Sequence, residues 1–135
     1  MAGRDILIGI DAGTSVIKAV AFDLGGRQIA ASSVPNRYHS GTDGSATQSL
    51  HQTWDDCAAA LRGLGAKIDG LAGRTAALSV TAQGDGTWLV GRDGPVGDAW
   101  LWLDARAAET VKAWDANDFI YQTRAEDLHD IAAGG

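Results

Sequence analysis

Apolar positions fall first in short β-branched runs and only later at helical spacing. The run Asp5-Ile6-Leu7-Ile8-Gly9-Ile10 predicts a buried strand over residues 5–10 that ends at the polar turn Asp11-Ala12-Gly13-Thr14-Ser15. Residues 16–23 resume the strand pattern with Lys18 inside it, Leu24-Gly25-Gly26 makes a second turn, and residues 27–34 form a third strand of weaker apolar content. Turns this short join antiparallel neighbours, so the opening segment predicts a three-strand meander.

Residues 35–47 are polar and rich in turn formers, which predicts a loop. A helix follows, with Leu50, Trp54, Cys57, Ala58, Leu61 and Leu64 on one stripe. Thr47 or Ser49 is placed to cap it, and Gly63 and Gly65 to terminate it. On that stripe Trp54 and Cys57 read as core, Cys57 as a small buried residue and not a nucleophile. After a Gly-rich link, residues 75–80 predict a buried strand, broken at Gly84-Asp85-Gly86. A short strand over 87–90 and a firm turn over 91–95 come next. Trp100-Leu101-Trp102-Leu103 leads into a helix over 104–116, and residues 117–135 read as polar and partly helical. The order is a meander, then helix, strand and helix: an α/β class with the ribonuclease H-like architecture. A sheet begun this way needs another strand and helix, so the fold reads as incomplete.

Composition narrows the classes. Eleven Lys and Arg against 17 Asp and Glu give a net charge of -6, which supplies no global field for nucleic acid or an anionic membrane. Any phosphate must be held by local donors. No apolar run approaches the ~20 residues of a membrane span, and the N-terminus has no signal-peptide layout. Cys57 is the single cysteine, which removes a disulfide framework and a cysteine-built zinc site. The expected location is the cytoplasm.

Three segments could carry chemistry. In Ile8-Gly9-Ile10-Asp11-Ala12-Gly13-Thr14-Ser15, Gly13 lets the main chain turn tightly so that N–H groups can converge on an anion. Thr14 and Ser15 add hydroxyls, Lys18 adds a positive charge, and Asp11 offers a carboxylate for Mg²⁺. A plain polar hairpin turn has the same residue types. No Walker-type Gly-x-x-x-x-Gly-Lys-Ser/Thr run is present. In Thr81-Ala82-Gln83-Gly84-Asp85-Gly86, Gln83 and Asp85 carry polar groups out of an apolar strand between glycines, as a ligand contact or a simple hairpin tip would. In Trp100-Leu101-Trp102-Leu103-Asp104-Ala105-Arg106, a Trp face suits the C–H surface of a sugar or polyol while a carboxylate takes its hydroxyls. The alternative puts both Trp residues in the core and makes Asp104 a helix cap. His39, His51 and His129 share no metal-ligand spacing, and Trp88 and Trp114 carry no signal separable from packing.

Together, Asp11-Ala12-Gly13-Thr14-Ser15 with Lys18, Gln83-Gly84-Asp85-Gly86 and Trp102-Leu103-Asp104-Ala105-Arg106 resemble, in order and spacing, the FGGY family of carbohydrate kinases. The resemblance runs from about Ile6 to Trp114, and within the family Gln83-Gly84-Asp85-Gly86-Thr87-Trp88 looks most like the erythritol kinase branch. Xylulokinases and glycerol kinases carry other residues at the pair matching Gly84 and Asp85. The resemblance implies an actin-like ATPase superfamily fold, ATP and Mg²⁺ as cofactors, and transfer of a phosphoryl group to a primary hydroxyl of a small-molecule sugar or polyol. It implies Asp11 as the magnesium-associated carboxylate, and Gly13, Thr14, Ser15 and Lys18 around the phosphates. Gln83, Asp85, Trp102 and Asp104 would line the substrate pocket. Erythritol-like alditols come ahead of xylulose-like ketoses.

Family members are several times longer and have two such domains. Their general base lies far downstream and their adenosine site in the second domain. Residues 1–135 are therefore expected to be the N-terminal portion of the first domain, inactive alone, with a homodimer one assembly open to the longer protein. Asp115, Asp118, Asp127 and Asp130 have no motif context that would make one a substitute base. A second reading is a non-catalytic polyol-binding or regulatory module. A nuclease of ribonuclease H type would share the sheet order, but the acidic charge argues against it.

Overall fold

The computed structural model describes residues 3–106. Three strands, β1 (Ile6–Ala12), β2 (Val16–Asp23) and β3 (Gln28–Pro35), form the expected antiparallel meander. The main helix α1 (Leu50–Gly65) crosses the sheet after two short strands, β4 (His39–Ser40) and β5 (Ala46–Gln48). A four-residue helix α2 (Leu71–Arg74) then feeds β6 (Thr75–Ala82), which pairs parallel with β1 to give the order β3-β2-β1-β6. Beyond it lie β7 (Gly86–Thr87), β8 (Val90–Gly91), β9 (Gly94–Pro95) and β10 (Ala99–Leu101). A second sheet runs β4-β5-β10-β7, and β8 with β9 forms a hairpin.

The core follows from strand alternation. Ile6, Ile8, Ile10 and Ala12 of β1, with Ile17, Ala19 and Ala21 of β2, turn one face toward Ala60 and Leu64 of α1. The small side chains let the helix approach closely. Gly63 lies directly over Ser32 of β3, where any added Cβ would collide with the Ser32 hydroxyl. Gly63 is thus a packing residue inside α1, not its terminator. The helix ends instead at Ala66, in ordinary right-handed geometry, with its N–H on the carbonyl of Arg62. At the other end Ser49 is the cap, its hydroxyl accepting from the Gln52 N–H at 3.3 Å.

Several sequence expectations are corrected. Trp54 is 75% exposed, because the buried stripe runs through Cys57, Ala60 and Leu64 and leaves Trp54 round the flank. Cys57 is only partly buried, and that burial, followed by the Asp56 charge, pushes its thiol pKa up, which suits a packing residue. The strand over 75–80 is not buried among the described residues: Leu78 and Val80 of β6 are 48% and 57% exposed. Among the described residues β6 occupies the sheet edge, whereas α1 packs chiefly on β2 and β3. The loop over 35–47 contains β4 and β5, the Gly-rich link contains α2, and the strand over 87–90 splits between β7 and β8. Runs of two to four residues leave too short a hydrophobic pattern to read. The firm turn over 91–95 is the β8–β9 hairpin, closed with Gly94 at φ +115°. Most of the helix expected over 104–116, the segment 117–135, Trp114, His129 and the four aspartates from Asp115 onward lie outside the described residues.

Candidate functional site

β1 and β6 run parallel, so the turn after β1 and the segment after β6 emerge at the same end of the sheet. The backbone N–H of Gln83 extends that pairing, donating to the Ala12 carbonyl at 3.2 Å. Crevices at the C-terminal ends of parallel strands are the usual ligand sites of open α/β sheets. Here Thr14, Gln83 and Trp102, taken from all three sequence segments, join one hydrogen-bonded row. Thr14 Oγ1 donates to Gln83 Oε1 at 2.7 Å, and Trp102 Nε1 donates to Thr14 Oγ1 at 3.4 Å.

Two buried residues that sequence reasoning missed hold this row. Gln48, 1% exposed at the end of β5, accepts from Gln83 Nε2 at 2.6 Å, and its own Nε2 donates to the carbonyls of Thr14 and Arg37, each at 3.3 Å. Asn36, 3% exposed, donates from Nδ2 to the Gly13 carbonyl at 2.8 Å and from its backbone N–H to Ser15 at 2.9 Å. Asn36 stands inside the stretch that reads as loop and Gln48 just past its end, and the signal that could have marked them was an amide side chain at each margin.

Gly13 is needed for a close approach, not for an unusual φ: a Cβ there would lie 3.0 Å from the Val16 carbonyl oxygen. Asp11 and Lys18 are register partners across β1 and β2 and both are exposed. With Ser79 and Thr81 they line an open groove of about 300 Å³ on the sheet face away from α1. Among the described residues no group of three or more His, Cys, Asp or Glu side chains could cage a metal ion. A single accessible carboxylate such as Asp11 does fit Mg²⁺ that arrives on phosphate oxygens and keeps most of its water. Ser15 and Asp85 are exposed, on the β1–β2 turn and between β6 and β7.

Asp104 is placed differently from the rest. Its buried carboxylate takes Ala46 N–H and Arg106 Nη2 on Oδ2, each at 3.0 Å, and Arg106 N–H and Nε on Oδ1 at 3.0 and 3.2 Å. The Arg106 side-chain bonds, then the Ala46 N–H, hold its pKa far below the usual carboxylate range against the opposing effect of burial. Arg106 also reaches Asp43 at 3.1 Å and stacks 4.2 Å from the centre of the Trp100 ring. Asp104 therefore anchors the segment that carries Trp100 and Trp102, and among the described residues no hydrogen bond joins it to the Thr14–Gln83 row.

Comparison with known proteins places the chain in a family. Residues 6–131 match the model of the FGGY family of carbohydrate kinases, N-terminal domain. The chain is 71% identical over 108 residues to the erythritol kinase of Brucella abortus (strain 2308), covering 79% of this chain and 21% of that protein. It is 33% identical over 109 residues to the L-xylulose/3-keto-L-gulonate kinase of Escherichia coli (strain K12), covering 79% and 22%. The crystal structure of gluconate kinase from Lactobacillus acidophilus superposes with a TM-score of 0.74 at 26% identity, over 87% of this chain and 23% of that one. The chain thus spans between a fifth and a quarter of the relatives it matches. Among the described residues no helix is long and apolar enough to cross a membrane. The fold is that of the actin-like ATPases with a ribonuclease H-like sheet, and the chain belongs to the FGGY family of carbohydrate kinases.

Proposed function

We propose that the protein carrying this chain transfers the γ-phosphoryl group of ATP to a primary hydroxyl of a short polyol, a tetritol of erythritol type ahead of a ketose of xylulose type. The observation that carries the reading is the 71% identity, over 108 residues, to a protein named erythritol kinase. In the transfer the polyol oxygen bonds to the γ-phosphorus, the bond to the β-phosphate oxygen breaks, and ADP leaves. The hydroxyl proton goes to a base outside residues 1–135, which form the N-terminal portion of the first domain and are inactive alone.

Within this chain the work is positioning and charge neutralisation. Gly13, Thr14 and Ser15 bring the turn's main-chain N–H groups toward the phosphates, and Lys18 supplies a positive charge beside them. Mg²⁺, when bound, would screen the phosphate charge, and Asp11 is the carboxylate placed to hold it or its water. Trp102 offers an exposed apolar face to the C–H groups of the polyol, with Gln83 and Asp85 as polar contacts. Asp104 belongs to the same wall, and direct contact with a hydroxyl requires Arg106 to release one of its bonds.

The test is ADP release by the intact gene product with tetritols, pentitols, pentuloses and glycerol, beside the 135-residue chain alone. Release that depends on a tetritol, seen only with the intact protein, is expected. No stimulation by any of these compounds would overturn the reading.

A further inference from the structure

We infer that Gln48 is a positioning residue for the polyol: it fixes which way the Gln83 amide faces and, through Gln83, the polarity of the Thr14 hydroxyl and the seat of Trp102. The inference rests on the kinase reading above. Backbone carbonyls can only accept, so the contacts of Gln48 with the Thr14 and Arg37 carbonyls, each 3.3 Å, require its Nε2 to face them. Gln48 Oε1 must then face Gln83, which obliges Gln83 to present Nε2 at 2.6 Å. Gln83 Oε1 is left facing Thr14, and the hydroxyl spends its one proton on it at 2.7 Å. The indole N–H of Trp102 fills a lone pair of the same oxygen at 3.4 Å.

Every donor and acceptor in the row is thereby assigned from its buried end outward. Gln48 is 1% exposed, so water cannot substitute for either of its partners without opening the fold. Two consequences follow. The Thr14 hydroxyl, expected from the sequence as a donor to phosphate, has no proton to spare; it offers a lone pair, which suits a hydroxyl donor such as a polyol. Trp102, otherwise exposed, is held in place by the Thr14 oxygen, so the apolar wall and the turn after β1 share one orientation. With Gln48 removed, the Gln83 amide can rotate by half a turn and present its NH₂ to Thr14. The hydroxyl then reverses, and its lone pair is no longer aimed at the pocket.

The experiment is a double-mutant cycle in the intact gene product, with steady-state kinetics for a tetritol and for ATP. Gln48→Ala is expected to raise KM for the tetritol about tenfold and to leave KM for ATP within about twofold. The orientation of the Gln83–Thr14 row is lost whole, while the turn after β1, losing one bond at the Thr14 carbonyl, is still held by Asn36 at Gly13 and Ser15. Because Gln48 acts through Gln83, adding Gln48→Ala to Gln83→Ala should raise KM no further. Gln48→Met, which keeps the volume and removes both polar ends, takes the place of the alanine variant if that one does not fold. A lower kcat with both KM values unchanged would mean only fewer folded molecules, and would overturn the inference. Independent, multiplying effects of the two substitutions would overturn it as well. Absence of tetritol-dependent turnover in the unsubstituted protein would instead remove the kinase reading, and this inference with it.

Discussion

Gly13→Ala tests whether the turn after β1 is tuned for ligand position or merely closes a hairpin. A Cβ at Gly13 would meet the Val16 carbonyl oxygen at 3.0 Å, so the turn has to open by a few tenths of an ångström. The turn has little room to do so, because Asn36 holds both Gly13 and Ser15 from the buried side. Stability should change little: the restricted unfolded chain returns ~0.4–1 kcal/mol, which offsets most of a mild contact strain. Catalysis should respond more, because a misplacement of ~1 Å costs on the order of 100-fold in rate. Scaled to a few tenths of an ångström, the same slope gives roughly a fivefold loss in kcat/KM for ATP. Steady-state kinetics of the intact gene product, with thermal midpoints of both proteins as the control, measure this. An unchanged kcat/KM beside an unchanged midpoint would show that the turn does not position phosphate. A collapsed midpoint would show that Gly13 serves the fold first.

Two further predictions follow from packing and charge. Gly63→Ala should lower hydrogen-exchange protection across α1 and β3, since a clash of ~1–3 kcal/mol outweighs the ~1 kcal/mol gained in helix propensity. Adding Ser32→Ala removes the struck hydroxyl and should restore protection; failure to do so would mean that the helix approach is set elsewhere. Asp5, Asp23, Asp43 and Asp104 all have pKa values held below the usual range, by hydrogen bonds to Arg74, Arg27, Ser45 and Arg106 respectively. The unfolded chain therefore binds more protons as pH falls, so their contribution is complete above about pH 4 and is lost on further acidification. Urea midpoints should drop steeply below about pH 4, less so for Asp104→Asn, and a midpoint that rises in acid would contradict the assignment.

The legible parts of the sequence were those where one period persists. Seven or eight residues of alternation in β1 and β2 and a 16-residue stripe in α1 are enough to predict the meander and the helix. Thr14 and Gln83 were legible because a polar residue follows an apolar run beside a glycine, and Trp102 because a pair of Trp residues stands just before a carboxylate. Gln48 and Asn36 were not, since a buried amide in a polar stretch looks like any loop residue until its partners are known. Trp54 misled for a related reason: periodicity places a residue on a helix face, but only the width of the sheet beneath decides whether that face is covered. Asp104 was legible as a helix cap and as a carboxylate near a Trp wall, while the bond it accepts from Ala46 depends on β5 lying alongside β10.

Phosphorus NMR of the intact gene product with ATP and Mg²⁺, with and without a tetritol, is the most direct test of the account. With the tetritol, a phosphomonoester should grow in step with loss of the γ-phosphate signal, and little inorganic phosphate should form. Inorganic phosphate in place of the ester, or an unchanged ATP spectrum with every polyol and ketose tried, would contradict a polyol kinase built on this site.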